Sequence, residues 1–151
     1  MYKQVDALYD ATIERVGFVV ALIALIIVTI GLMVYLFGRF NLFKKCGKEG
    51  WLAIVPFYSD YIFYTQICGL HWGWFAASML INLISIKESY VTFLRIFVNG
   101  MAFYNLAIKC DRDKIAAMIF GGIVPSILTV IYGFSSLNYD ETKEVKQSGL
   151  F

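Results

Sequence analysis

Apolar residues in this chain gather in long blocks, and the charged residues collect in short stretches between them. The first block, "GFVVALIALIIVTIGLMVYLF" from Gly17 to Phe37, carries no charge. At about 1.5 Å per residue it predicts a helix that crosses a hydrocarbon core of about 30 Å. Three more apolar segments follow at Trp51–Leu70, Trp72–Ile86 and Ser89–Ile108, and the last, "IAAMIFGGIVPSILTVIYGF", covers Ile115–Phe134. Such blocks predict an all-α, polytopic helical membrane protein. A short arm, residues 1–16, precedes the membrane domain (17–134), and a polar tail, residues 135–151, follows it. The first block differs from a secretory signal, whose apolar core is about 7–15 residues long. Asp6, Asp10 and Glu14 precede it and no small-residue cleavage site follows, so it reads as a retained anchor.

The charges set an expected topology. The loop "GRFNLFKKCGKEG" carries Arg39, Lys44, Lys45 and Lys48, and "KCDRDK" carries Lys109, Arg112 and Lys114. The arm offers only Lys3 and Arg15. Lysine and arginine near span ends favour the cytoplasm, so both loops are expected inside and the N-terminus outside. An even number of crossings must then separate the loops, yet three apolar segments lie between them. With Ile115–Phe134 as the last span, about four crossings and both termini outside satisfy the parity.

Two arrangements fit that count. In one, Trp51–Leu70 is a kinked span and Trp72–Ile108 returns as one broken element. In the other, Trp51–Leu70 enters and comes back while the remaining segments each cross. Pro56 lacks an amide hydrogen and clashes with the preceding turn, so it kinks or ends a helix. Non-helical backbone at membrane depth survives only under cover of protein or water. "SIKES", Ser85–Ser89, favours an excursion to water through Lys87 and Glu88.

Composition agrees: 60% of the residues are apolar and 16% charged, against roughly 45–50% and 25% in soluble domains. The net charge of +2, with no basic stripe interleaved with aromatics, argues against nucleic acid. Cys46, Cys68, Cys110 and the single His71 are widely spaced. A structural zinc site needs about four close ligands, so neither metal nor other cofactor is expected. Cysteines in cytoplasmic loops are expected reduced.

The run G-K-E-G-W-L-A-I-V-P-F-Y, with Gly47, Gly50, Trp51, Pro56 and Tyr58, resembles a family of small uncharacterised bacterial membrane proteins. Their motif is G-K-x-G-W-x-A-I-x-P-x-Y after a basic loop, followed by an aromatic patch, here "HWGWF" at His71–Phe75. Some members are linked by annotation to signal peptidase I. The resemblance spans about residues 38–134 and implies a scaffold in the bacterial cytoplasmic membrane rather than a reaction. This chain departs from it with Ser59 and Asp60 after the tyrosine, where asparagine is usual, and in extra length around "LISIKESYV".

Among single residues Arg95 stands out, about 9 Å along a helix from Ser89. A centred arginine costs about 2.5–3.5 kcal/mol on insertion scales. Snorkelling to headgroups is one reading, a pair with an acid another, and a substrate role a third. Asp60, the only acid in Trp51–Leu70, is the expected partner. Asn82, Thr92, Asn99 and Asn105 read as helix-to-helix hydrogen-bonding points. Gly100 with Ala102, and Gly121 with Gly122 ahead of Pro125, read as close-packing or bending surfaces. Trp51, Trp72 and Trp74 read as interfacial anchors, with His71 beside them. No HExxH, phosphate loop or nucleophile elbow is present. Ser59, Ser78 and Ser85 have no mid-membrane lysine to form a Ser–Lys dyad. The expectation is a non-enzymatic membrane protein, surrounded by lipid, that works through contacts with another membrane protein as an accessory or scaffold subunit; the expected partners are membrane lipid and another membrane protein or further copies of the chain. An immunity protein against a membrane-acting toxin is one alternative, and a small oligomeric transporter or channel is another.

Overall fold

The computed structural model describes residues 2–84 and 89–143. Ser85, Lys87 and Glu88, with the tail beyond Lys143, lie outside the described residues. The described part is all helical. It divides into two units, Met1–Val34 and Tyr35–Phe151.

The first unit is helix throughout its described residues, the opening part of α1 (Tyr2–Lys45). The arm before Gly17 therefore continues the anchor helix rather than forming a separate element. From Arg15 to Val34 every side chain is exposed. The run Arg15–Lys45 is long and apolar enough to cross a membrane, and so is Tyr90–Lys109.

The second unit begins with the last turns of α1. A 3-10 turn at Gly50–Ala53 follows, then α2 (Tyr58–Ile62), which runs directly into a π-helical turn at Phe63–Ile67. Next come α3 (Trp72–Ile84), α4 (Ser89–Lys109), α5 (Lys114–Ile123) and α6 (Pro125–Phe134). The core gathers Leu42 and Phe43 from α1, Ile62, Phe63 and Ile67 from the short helices, and Phe103 and Leu106 from α4.

The expected last span is two helices of 10 residues each, not one element. Asp113 caps α5 by accepting from the amides of Ile115 and Ala116, at 3.0 and 3.2 Å. Pro125 has no amide to continue the ladder and sits in the first turn of α6. The chain turns back there: the Arg112 guanidinium, just before α5, donates to the Ser136 carbonyl, just after α6, at 2.8 Å. A straight helix of this combined length would hold those ends about 30 Å apart. Both ends thus share one end of the unit with Lys45 and Lys109. The tail's beginning is there too, so it is not separated from the two basic loops.

Small residues make this folding possible. A Cβ on Gly100 would stand 2.8 Å from the Met118 carbonyl oxygen, and one on Gly122 would stand 2.6 Å from that of Ile96. α4 and α5 are therefore antiparallel and in backbone contact. Gly133 of α6 faces the Gly38 backbone of α1 as closely.

Trp51–Leu70 also turns back. It starts where Gly50 lies against the Phe40 ring and reaches Arg39 through Asp60. It returns to the basic end, where the Ile67 carbonyl accepts from the Tyr139 hydroxyl at 3.0 Å and Gly69 approaches Lys109. The segment thus begins and ends near the basic end of the unit.

Candidate functional site: a polar cavity beside an ion pair

Inside the second unit lies a cavity of about 160 Å³. α1 contributes Tyr35 and Arg39, α2 contributes Asp60, and the π turn contributes Tyr64. α3 adds Ser78 and Asn82, α4 adds Asn99, and α6 adds Pro125, Ser126 and Thr129, with Phe63 and Phe103 as the apolar part of the wall. The outward side chains of α4 and α6, and of α5 packed beside α4, include large apolar residues. Phe93, Leu94 and Phe97 on α4, Ile119 and Phe120 on α5, and Ile127 and Ile131 on α6 are all exposed. Polar groups thus gather at the cavity, within a core that is otherwise apolar, while the outward side chains of the surrounding helices are apolar.

Arg39 organises the cavity. Its guanidinium donates to the Tyr35 hydroxyl at 2.9 Å, one helical turn back on α1. It also forms an ion pair with the Asp60 carboxylate. Its Cζ lies 5.8 Å from the Phe43 ring centre and 6.0 Å from those of Tyr35 and Phe63, within cation–π range. Its side chain is 13% exposed and that of Asp60 37%. The cation is therefore largely enclosed, with part of its guanidinium facing the cavity, while the acid borders the opening.

The motif residues build the turn that brings Asp60 there. Gly47 has φ 72°, which glycine adopts without strain. Gly50 has no room for a side chain, because a Cβ would stand 2.7 Å from the Phe40 ring. Trp51 and Tyr58 are exposed. Pro56 accepts from the Tyr58 amide at 2.6 Å, and Phe57 takes φ 60°, unusual for an aromatic residue. Asp60 then lies in the first turn of α2.

On the facing side the Tyr64 hydroxyl donates to Asn99 Oδ1 at 2.6 Å. Tyr64 stands on the π turn, a local widening that frequently occurs at functional sites. Thr129 spends its hydroxyl on the Pro125 carbonyl at 2.8 Å. Ser126 lies in the first turn of α6, where Pro125 has no amide hydrogen and the Ile127 and Leu128 amides donate to the Val124 carbonyl at 3.1 and 3.2 Å, so the Ser126 amide has no partner within the turn.

The expected pair of Arg95 with Asp60 is corrected: Asp60 takes Arg39, and Arg95 is exposed outside the cavity. Asn82 and Asn99 lie in the cavity wall, whereas Asn105 is buried outside it. Sequence reading missed Arg39, Tyr35, Tyr64, Ser126 and Thr129. Arg39 was legible only as a topology charge. The overlooked signal was its i, i+4 spacing from Tyr35, which puts both on one helix face.

The opposite, basic end is strapped by the chain after α6. Lys45 donates to the carbonyls of Gly133 and Ser135, the latter at 2.6 Å, and so satisfies the C-terminus of α6. The buried Lys109 lies 5.7 Å from the Tyr139 ring centre, and the Asp140 amide donates to its carbonyl at 3.0 Å. Lys143 pairs with Asp111, and Lys48 with Glu141 at 3.8 Å. Burial pushes the Cys46 thiol up to about 12 and the Cys110 thiol up to about 11, against the pull of nearby cations. Among the described residues no group of His, Cys, Asp and Glu is placed to hold a metal. Compared with known proteins, the chain matches no family model, no curated protein and no solved structure.

Proposed function

We propose that the chain is a multi-pass protein of the bacterial cytoplasmic membrane whose second unit receives a small polar solute, as a small transporter or channel does. One observation carries this reading: a cavity lined by an ion pair, hydroxyls and amides, inside helices whose outer faces are apolar. Exposing such groups to lipid is costly, and intramembrane ionisable residues with interrupted helices mark solute pathways. Here the interruptions are the π turn and the break at Pro125, and both border the cavity.

In the proposed topology the N-terminus is outside, and both basic loops and the chain after α6 are in the cytoplasm. α1, α3 and α4 cross; the α2 segment and the α5–α6 hairpin enter and return. This replaces four crossings with three. What supports it is the contact of Arg112, Lys109 and Lys45 with residues 133–140 at one end of the unit, together with the positive-inside rule. The test uses single cysteines at Ser126 and Ser78, probed in intact membranes with a water-soluble thiol reagent. Labelling at both is expected. Absence of labelling at both, in a protein that is still folded, sinks the solute reading.

The accessory-subunit reading keeps one observation of its own. The side chains of α1 from Arg15 to Val34 are exposed and mostly apolar, a surface that fits a helix of another membrane protein as well as lipid. Crosslinking from that face to a single stoichiometric partner would favour it, and the partner's identity would tell an immunity protein from a scaffold subunit.

A further inference from the structure

The donors left unspent around Arg39 define a ligand class, an inference that rests on the solute reading above. We propose that the cavity takes a small oxyanion, a ligand with one carboxylate or one phosphate group. Three observations converge on this.

The first is the donor balance. A guanidinium carries more N–H groups than the two bonds to Tyr35 and Asp60 use. Asn99 accepts from Tyr64 through its oxygen, which leaves its amide N–H groups for another acceptor. Asn82, Ser78 and Ser126 add further donors to the wall.

The second is the placement of α6. Its N-terminus opens on the cavity through Pro125 and Ser126. No side chain caps it. Pro125 has no amide and the Ile127 and Leu128 amides donate to the Val124 carbonyl, so this end offers the Ser126 amide and a partial positive charge below the about +0.5 of a fully open helix start.

The third is the state of the one acid. Asp60 is already engaged by Arg39. A cationic ligand would have to compete with a guanidinium that three aromatic rings hold in place. An oxyanion can take the remaining N–H groups and leave that pair intact. The volume sets the size: a cavity of about 150 Å³ accommodates benzene, and this one is about 160 Å³. Acetate and inorganic phosphate are within that size.

The test is calorimetric titration of the purified full chain in mild detergent. The probes are acetate, inorganic phosphate, methylammonium and glycerol, with dibutyryl phosphatidic acid as the lipid headgroup. Acetate or phosphate is expected to bind at least about tenfold more tightly than methylammonium and glycerol, as charge-assisted hydrogen bonds require. Arg39→Gln should abolish that preference. Because this variant removes the partner of Asp60, Ser126→Ala and Asn82→Leu serve as milder ones, each lowering anion affinity severalfold with no change in melting temperature. Tighter binding of the phosphatidic acid than of free phosphate would keep the oxyanion chemistry and assign its source to lipid. Binding of methylammonium or glycerol in preference to the anions overturns the ligand class but leaves the solute cavity standing. No binding of any probe, in a protein whose Ser126→Cys variant is labelled from water, also overturns the ligand class. No binding and no labelling removes both.

Discussion

Substituting Gly133 by alanine tests the packing on which the cavity depends. A Cβ at this position would overlap the carbonyl oxygen and Cα of Gly38, so backbone meets backbone and no rotamer change relieves the contact. α6 must move away from α1. Overpacking of this kind costs about 1–3 kcal/mol. The movement also draws the α6 carbonyls away from Lys45, which donates to Gly133 and Ser135; a hydrogen bond from a charged group adds about 1.5–3 kcal/mol. The two costs overlap, and a total near 3 kcal/mol is expected. At about 2–4 °C per kcal/mol for a chain of this size, the melting temperature should fall by roughly 6–12 °C. The assay is thermal unfolding in mild detergent, followed by tryptophan fluorescence. Two controls bracket it. Gly38→Ala meets Val130 Cα at 2.9 Å and should be milder, because part of that contact is a side chain. Gly31→Ala has nothing within 4 Å and should stabilise α1 by up to about 1 kcal/mol through helix propensity. A Gly133→Ala protein that melts within a degree of wild type would refute the α1–α6 contact and, with it, the position of Ser126 at the cavity.

Other consequences follow from the same contacts. Asp60→Asn and Arg39→Gln should each destabilise by about 1–2 kcal/mol, a value discounted from that of a fully buried pair because Asp60 is partly exposed; the double variant should lose less than their sum, read from a thermal double-mutant cycle. Removing the Tyr139 hydroxyl with Tyr139→Phe deprives the Ile67 carbonyl of its donor and should cost about 1 kcal/mol, with faster proteolysis after Phe134 as an independent readout. The thiols of Cys46 and Cys110, raised by burial to about 12 and about 11, should resist maleimide at pH 8 in the folded protein and react once it is denatured. A raised thiol pKa favours the folded state while the thiol is neutral. That contribution is therefore complete below pH 9, the unfolded value, and is lost as pH rises towards 11–12, which melting curves at increasing pH would record.

Much of the architecture was legible because it is local. Uncharged apolar blocks set where helices form, and the length of Gly17–Phe37 and Ser89–Ile108 matches the two helices long enough to span a bilayer, whereas Ile115–Phe134 is divided into two short ones. Pro125 and the glycine pair before it marked a break, since a missing amide and a missing Cβ act on the chain's own backbone. Pro56 likewise announced a kink or helix end. Asn82 and Asn99 were recognisable as polar points on apolar helices.

Pairing and direction were not legible, because they depend on residues far apart in sequence. The sequence holds 13 lysines and arginines, and hydropathy made Arg95 the conspicuous partner for Asp60. Tertiary packing instead brings α2 back along α1, so that Arg39 meets the carboxylate and Arg95 faces outward. The break at Pro125 was visible as a kink, but a kink and a reversal look the same in sequence. What decides for reversal is the close approach of Gly38 to Gly133 and the reach of Arg112 to Ser136. The cavity has the same origin. No segment encodes it, and it exists only where the side chains of five helices and a π turn fail to fill the space between them.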